Sequence, residues 1–370
     1  MSVPLLDLKA QHATIRDVVV EKMIKLVDSQ LFILGAAVEE LEKQVAELSH
    51  TKHAIGCANG TDAILLAMRA LDVGRGDEVI TTPFTFFATA GTIHNVGATP
   101  VFVDIEPRTF NISPEAIAKA ITPRTKAIIP VDLFGAMAPI EEVRKVAKGI
   151  PVIEDAAQSI GASRMINGVK RMAGEAATIG TFSFFPSKNL GGYGDGGMIV
   201  TQDDKIAERL RKLRVHGGSK TYYHDEVGYN SRLDALQAVV LSAKLPYLAG
   251  WSAKRRQNAA FYDKALAGVP GLTTPFVEKG NESIYNQYTI RVDRRDELQA
   301  YLKEKGIGSS IYYPLPLHLQ ECFAYLGYKK GSIPESEKAA GQVLSLPIYP
   351  ELTQTQLEEV AGAVRSFYGK

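Results

Sequence analysis

The sequence predicts an α/β protein in which a large domain, built on a mostly parallel mixed sheet, precedes a smaller C-terminal α/β domain. Short apolar runs alternate with helical patterns through the first two thirds of the chain, and this pattern changes after Leu245. A chain of 370 residues is also too long for one ordinary core. We therefore expect residues 1–245 to form the large domain, with its N-terminal helices near the small domain, and residues 246–370 to form the small one.

The elements follow from apolar spacing. Helical patterns cover about residues 15–31 and 38–48, and a charged helical stretch opens the second domain. Repeated units of strand and helix favour a sheet covered on both faces. The predicted strands of the large domain are 54–58, 78–81, 100–103, 127–131, 152–155 and 198–201. Those of the small domain are 288–292 and 309–313.

Composition excludes several classes of function. The formal charge is +1, from 42 basic and 41 acidic residues, so no field of one sign attracts nucleic acid or an anionic membrane. The two cysteines form no metal motif, and the histidines lack the spacing of a zinc site, so we expect no metal. The first twenty residues lack the apolar core of a signal peptide, and no run is long enough to span a membrane. These features predict a cytoplasmic protein.

Lys188 lies among apolar and small residues, directly before a glycine cluster. A partly desolvated lysine has a lowered pKa and becomes a nucleophile toward an aldehyde. An exposed loop lysine is the alternative. The cluster at residues 192–197 fits G-x-G-x-x-G, but a strand pattern follows where a dinucleotide site needs a helix. The glycines are therefore interpreted as a sharp turn beside the lysine loop.

Two further segments suggest cofactor contacts. Asp155 ends an apolar strand, at the edge where open α/β sheets bind ligands, and can pair with a protonated pyridine nitrogen. Capping of the next helix is the alternative. Residues 59–62 open a helix, whose free amide groups can bind a phosphate. An ordinary helix N-cap explains the same residues. The sequence does not explain why the acidic Asp62 would lie near a phosphate.

Taken together, these segments resemble the DegT/DnrJ/EryC1/StrS family of sugar aminotransferases, which have the pyridoxal-phosphate fold type I (aspartate aminotransferase-like). The resemblance covers nearly the whole chain, and the order and combination of its motifs are specific. The matching motifs are ANGTDA (58–63), FTFFATA (84–90), PVFVDIEP (100–107), IEDAAQS (153–159), FSFFPSKNLGGYGDGG (182–197), RVHG (214–217) and GYNSRLD (228–234).

The resemblance implies pyridoxal 5'-phosphate as cofactor. Lys188 would form the Schiff base and carry protons, and Asp155 would pair with the pyridine nitrogen. Gln158 would contact the ring hydroxyl and Phe86 would stack on the ring, whereas Phe84 is assigned to packing.

The resemblance also implies how the phosphate is held. Gly60, Thr61 and Ser183 would bind it, joined by Asn230 from a neighbouring subunit, so that a homodimer shares its active sites. Some relatives have histidine in place of the lysine and dehydrate sugars; the lysine of this chain favours transamination from glutamate to a keto sugar.

Within the family, several stretches are similar to aminotransferases that act on UDP-2-acetamido-3-oxo-glucuronate, whose product enters surface polysaccharides such as lipopolysaccharide O-antigen. Arg232 is the candidate for the sugar carboxylate, because a guanidinium binds a carboxylate bidentately. A structural ion pair with Asp234 or another acidic residue is the alternative. Tyr313 and His318 match a loop that reaches toward the sugar.

Three other functions remain open. The first is the same chemistry on a 3- or 4-keto dTDP-deoxysugar. The second is a non-catalytic ligand-binding regulator with the same fold, against which the presence of both Lys188 and Asp155 argues. The third is a nicotinamide dehydrogenase, which rests only on the glycine cluster.

Overall fold

The computed structural model describes residues 2–369 as alternating helices and strands. The α-helices are α1 (Leu8–Ser29), α2 (Ala36–Leu48), α3 (Gly60–Ala70), α4 (Phe87–Asn95), α5 (Pro114–Ala120), α6 (Ile140–Ala147), α7 (Asp204–Leu213), α8 (Ala235–Lys244), α9 (Leu248–Ala265), α10 (Arg295–Glu304), α11 (Pro334–Gln342) and α12 (Gln354–Phe367). The strands are β1 (His53–Cys57), β2 (Glu78–Thr81), β3 (Thr99–Phe102), β4 (Thr125–Ile129), β5 (Ile153–Asp155), β6 (Ser163–Ile166), β7 (Val169–Met172), β8 (Ile179–Ser183), β9 (Gly197–Thr201), β10 (Gly218–Lys220), β11 (Tyr223–His224), β12 (Leu272–Thr273), β13 (Asn281–Glu282), β14 (Tyr288–Val292) and β15 (Val343–Leu346).

The main sheet has the order β3-β2-β4-β5-β8-β9-β1. Strands β3, β2 and β4 are parallel neighbours, as are β5 and β8, and parallel bridges from Ile128 to Val152 and from Val131 to Asp155 join these two groups. Only β9 runs against its neighbours β8 and β1. The mostly parallel mixed sheet predicted from the sequence is therefore confirmed.

Helices cover both faces of this sheet. Along β9, Ile199 packs in a core with α3 and α7, whereas Met198 and Val200 pack in a second core with α2 and α8. Successive side chains of a strand point to opposite faces, so an apolar run that faces helices on both sides is buried at every position. Burial on both faces explains why these strands appear in the sequence as continuous apolar runs.

The C-terminal part has a core of its own. It is built from β14, β15, α9, α10 and α12, and Val3 from the N-terminal segment packs into it. Its small sheet has the order β12-β14-β15. The boundary at residue 245 stays a prediction, as does the division into two domains.

Two details of the sequence interpretation have different outcomes. The strand expected at 309–313 is wrong, because the structure has only an isolated bridge from Ser310 to Ser345 there. The strand expected after the glycine cluster is confirmed as β9, which pairs antiparallel with β8.

None of the helices within residues 2–369 combines the length and apolar character needed to cross a membrane. The same residues contain no group of three His, Cys, Asp or Glu side chains placed to hold a metal ion.

Candidate active site

Lys188 lies in the loop that joins β8 to β9. Because these strands are antiparallel neighbours, with Ser183 opposite Gly197, the loop leaves and re-enters the sheet at one edge. Parallel β5 ends at that same edge with Asp155. Burial lowers the pKa of Lys188 to about 8, against an opposing effect from the negative charge of Asp155. A free amine with this pKa is available near neutral pH as a nucleophile and as a proton carrier.

Asp155 is buried at the end of β5 and is held on both of its oxygens. The Thr89 hydroxyl donates to Oδ2 (2.8 Å), and the Ala157 backbone N–H donates to Oδ1 (3.3 Å). Burial raises the pKa of Asp155, while the Thr89 hydrogen bond and the charge of Lys188 lower it. A carboxylate with fixed donors and a nearby amine can stabilise a cation that binds against it.

Gln158 and Tyr313 meet beside this pair. The Phe134 backbone N–H donates to Gln158 Oε1 (2.7 Å), and Gln158 Nε2 donates to the Tyr313 hydroxyl oxygen (3.2 Å). Burial raises the pKa of Tyr313, and the charge of Asp155 raises it further. The Gln158 amide group is therefore oriented by its oxygen, which leaves its N–H groups as the donors.

Two phenylalanines of one motif have different environments. Phe84 is fully buried and packs edge-on to Tyr313, with ring centroids 6.3 Å apart. Phe86 directly precedes α4 and is 59% exposed, and its ring lies 6.4 Å from that of Tyr313. The structure thus offers Phe86, and not Phe84, as an open aromatic surface.

The start of α3 lies against Ser183. Asn59 caps the helix, because its side chain accepts from the Asp62 backbone N–H (2.8 Å). A Cβ atom on Gly60 would lie 2.6 Å from Ser183 Cβ, so only glycine permits this approach. The Gly60 and Thr61 amide groups make no hydrogen bond within residues 2–369. The N-cap interpretation and the phosphate interpretation are therefore compatible.

These groups fit pyridoxal phosphate. Gly60, Thr61 and Ser183 offer free donors at a helix N-terminus, which binds phosphate well. Asp155 offers a buried anion for the pyridine nitrogen, and the pKa of the nearby Lys188 amine is lowered to about 8. The donor set therefore matches each charged end of the cofactor.

Asn230 and Arg232 belong to a different part of the surface. They follow the hairpin β10–β11, and Arg232 lines a cavity of about 880 Å³ with that hairpin. Neither side chain has a hydrogen-bond or ion-pair partner within residues 2–369, and Asp234 makes no ion pair with Arg232. The single chain does not bring Asn230 or Arg232 to Lys188.

His318 lies apart from the Lys188–Asp155 pair. It is 1% exposed, its Nε2 lies 3.0 Å from Glu337 Oε1, and its ring packs edge-on against Tyr328. Its described contacts are with these residues and not with the Gln158–Tyr313 pair. The structure therefore brings together eight of the residues proposed from the sequence. They are Gly60, Thr61, Phe86, Asp155, Gln158, Ser183, Lys188 and Tyr313.

Sequence reasoning missed a pair of acids behind Asp155. Asp132 and Glu154 are fully buried, and each of these carboxyl groups shifts the pKa of the other. The Ser159 hydroxyl donates to Asp132 Oδ2 (2.7 Å), and the Gly174 backbone N–H donates to Glu154 Oε2 (3.0 Å). Burial raises the pKa of Asp132 to about 6 and that of Glu154 well above its usual value. Because two neighbouring buried carboxylates repel each other, the pair retains one proton.

Known proteins with similar sequences include named aminotransferases and a protein with a regulatory name. The family described as the DegT/DnrJ/EryC1/StrS aminotransferase family matches residues 14–365. A pleiotropic regulatory protein of Geobacillus stearothermophilus is 53% identical, over all of this chain and 99% of that protein. The UDP-N-acetyl-3-dehydro-alpha-D-glucosamine 3-aminotransferase of Acidithiobacillus ferrooxidans is 47% identical, over 98% and 97% of the two chains. The UDP-2-acetamido-2-deoxy-3-oxo-D-glucuronate aminotransferase of Pseudomonas aeruginosa is 45% identical, over 98% and 99%.

The fold is also similar to that of a solved structure. DesV of S. venezuelae, crystallised in complex with a ketimine intermediate, superimposes with a TM-score of 0.97 at 40% identity. The alignment covers all of this chain and 99% of DesV. This likeness confirms the fold type I expectation.

Proposed function

Because the chain belongs to the DegT/DnrJ/EryC1/StrS aminotransferase family, we propose that it transfers an amino group from glutamate to the 3-keto group of a UDP-linked 2-acetamido sugar uronate. The chain is a pyridoxal-phosphate-dependent sugar-nucleotide aminotransferase. The keto sugar, the donor and a role in surface polysaccharide synthesis are the proposed parts. The observation that carries the choice of a uronate is Arg232, a half-buried guanidinium with no partner of its own.

The residues around Lys188 have separate roles in this proposal. Pyridoxal phosphate, when bound, supplies an electron sink for the carbon that loses or gains a proton. Lys188 holds the cofactor and carries that proton, because the lowered pKa of its amine suits both directions of transfer. Asp155 keeps a proton on the pyridine nitrogen, and Gln158 donates to the ring hydroxyl. Phe86 packs on the ring.

The substrate carboxylate is assigned to Arg232. A guanidinium with its donors free binds a planar carboxylate through two parallel hydrogen bonds. The relative that acts on the uronate and the relative that acts on the neutral sugar are almost equally similar to this chain. Overall identity therefore does not separate the two substrates, and the proposal depends on this one side chain.

We further propose that the site is completed by a second copy of this chain. Asn230 is exposed and without a partner, and the neighbouring hairpin carries Tyr222 and Tyr223, which are 92% and 70% exposed. Large apolar side chains that are exposed next to each other mark an interaction surface. In a homodimer, Asn230 and Arg232 of one copy reach the phosphate and the sugar bound by the other.

The first measurement is the absorption spectrum of the purified protein before and after addition of glutamate alone. A visible band that moves to shorter wavelength on adding glutamate establishes covalent attachment and the donor half-reaction together. A band that does not respond points to another donor. The absence of any band after adding pyridoxal phosphate contradicts the proposal.

The substrate assignment is tested with Arg232→Ala. We expect kcat/KM to fall by about 100-fold for the UDP-linked 3-keto uronate, since a charge pair with bidentate geometry is lost. The neutral 3-keto UDP-sugar should lose less than about threefold. Equal losses on both sugars, or a wild-type preference for the neutral sugar, contradict the assignment.

A further inference from the structure

A second buried lysine lies on the other side of the Lys188 loop. Lys244, the last residue of α8, is only 3% exposed. Its Nζ donates to the Gly191 carbonyl oxygen (2.5 Å) and lies 5.1 Å from the centre of the Tyr193 ring. It has no ion pair within residues 2–369. An ammonium group buried without an anion is costly, so lysines are rarely found in this situation.

Lys244 lines a partly open recess, which we call the Lys244 cavity. Its volume is about 260 Å³, and its walls are formed by the start of α1 and by the loop after Lys188, including Pro186 and Tyr193. Gln11 also lines it. This side chain is 8% exposed, and its amide group makes no hydrogen bond within the described residues. Two buried polar side chains therefore face one cavity with unused donors.

The remaining polar side chains of the cavity are paired with each other. His12 Nδ1 and the Tyr193 hydroxyl lie 2.5 Å apart at its rim. The titratable groups that face Lys244 are therefore His12 on α1 and Tyr193 in the loop, and the lining contains no carboxylate. Burial alone lowers the pKa of Lys244 to about 8. The cavity has a positive charge and hydrogen-bond donors, but no anion.

We propose that the Lys244 cavity is a binding site for a small carboxylate, separate from the Lys188–Asp155 site. The charge selects this class, because one lysine balances a carboxylate but leaves a doubly charged phosphate half-neutralised. The apolar walls, Leu8 and Pro186, suit a short aliphatic chain. The volume suits a molecule of a few carbon atoms, since a water occupies about 30 Å³.

Binding at this site has consequences for protonation. A carboxylate beside Lys244 stabilises its charged form and raises its pKa, so binding takes up a proton wherever the free amine is partly neutral. The uptake is small well below pH 8, where the amine is already charged, and grows as the pH rises through about 8. The affinity for the carboxylate falls as the pH rises over the same range.

The test is isothermal titration of the holoprotein with butyrate, in two buffers with different heats of ionisation, at about pH 7 and about pH 9. We expect one site per chain and proton uptake that increases between these values. Lys244→Met should weaken binding at least ~10-fold and abolish the proton uptake. Gln11→Leu, which leaves the contact with Gly191 intact, should weaken it several-fold.

Matched variants locate the site. Lys254→Met removes an exposed lysine of α9 and should leave butyrate binding unchanged. Arg232→Ala should also leave it unchanged, and a loss there would place the butyrate at Arg232 and overturn the proposal. Unaltered binding by both Lys244→Met and Gln11→Leu, or no binding by the wild-type protein, also overturns it. The glutamate-induced spectral change tests the proposed function independently of all these outcomes.

Discussion

The two halves of the proposed active site are held in different ways. In the cofactor half, the polar groups of Asp155 and Gln158 are fixed by Thr89, Phe134 and Tyr313 of the same chain. In the hairpin half, Asn230 and Arg232 have no partner within the described chain. Fixed groups can orient a cofactor before it arrives, whereas free groups must find their partners in a ligand or a second chain. The comparison predicts that changes in the first half affect chemistry, and changes in the second affect assembly and substrate choice.

The largest effect is expected for Lys188→Ala. Removal of the only amine proposed to hold the cofactor and carry the proton should lower kcat by at least ~10⁴-fold and abolish the borohydride-trapped adduct. Lys254→Ala, which removes an exposed lysine, is the matched control. A trapped adduct at another lysine in the Lys188→Ala protein contradicts the assignment.

The second effect tests whether the hairpin half serves another chain. Asn230→Ala alone should lower activity by about 100-fold, through the loss of a phosphate contact. When this variant is mixed with Lys188→Ala, half of the dimers are hybrids with one complete site, so about a quarter of the wild-type activity should return. If hybrids form without recovery, both residues act within one chain and the distinction between the two halves is lost.

The third effect tests the fixed half. Thr89→Val keeps the shape of the side chain but removes the donor to Asp155 Oδ2, a hydrogen bond to a charged group worth about 2 kcal/mol. We expect kcat to fall by roughly 10-fold, with the substrate preference unchanged. A change in preference between uronate and neutral sugar, measured by competition, would contradict the separation of roles.

The smallest effect concerns stability. Burial raises the pKa of both Asp132 and Glu154 in the folded protein. The stability that these carboxyl groups contribute is therefore full at low pH and is lost as the pH rises, through about 6 for Asp132. Glu154→Gln supplies an amide donor to Asp132 at every pH and still accepts from Gly174. The wild type should therefore lose about 1–3 kcal/mol relative to this variant between about pH 4 and pH 7.

Urea unfolding at a series of pH values measures this difference. The other charged groups nearby, Asp155 and Glu175, are the same in both proteins, so the difference reports on the pair. Parallel stability curves for the two proteins would show that the pair does not share a proton.

The sequence predicted six of the seven strands of the main sheet, because a strand covered on both faces gives an apolar run that is easily recognised. The seventh, β8, was missed, since Gly180, Thr181 and Ser183 interrupt its apolar run. β2 was placed at 78–81 and β14 at 288–292, as the structure has them. The segment 309–313 is not a strand. Its apolar side chains pack into a core near the active site, and its backbone makes only one bridge to β15. Apolar spacing reports burial and does not report which backbone groups pair.

The same limit applies to the site residues, of which some have a signal in the sequence and others do not. Lys188 and Asp155 have signals in the sequence, since a polar residue interrupts or ends an apolar run. Thr89 and the Asp132–Glu154 pair have none, because their contacts join segments that only the fold brings together.

The antiparallel course of β9 has a consequence for engineering. Residues 184–196 begin and end at adjacent points of the same sheet edge, where Ser183 pairs with Gly197. Both ends of this loop are therefore held in place by strands rather than by helices. A loop of equal length from a relative can be exchanged there without changing the register of any strand, and such a graft would transfer the reactive lysine and its glycine turn as one unit.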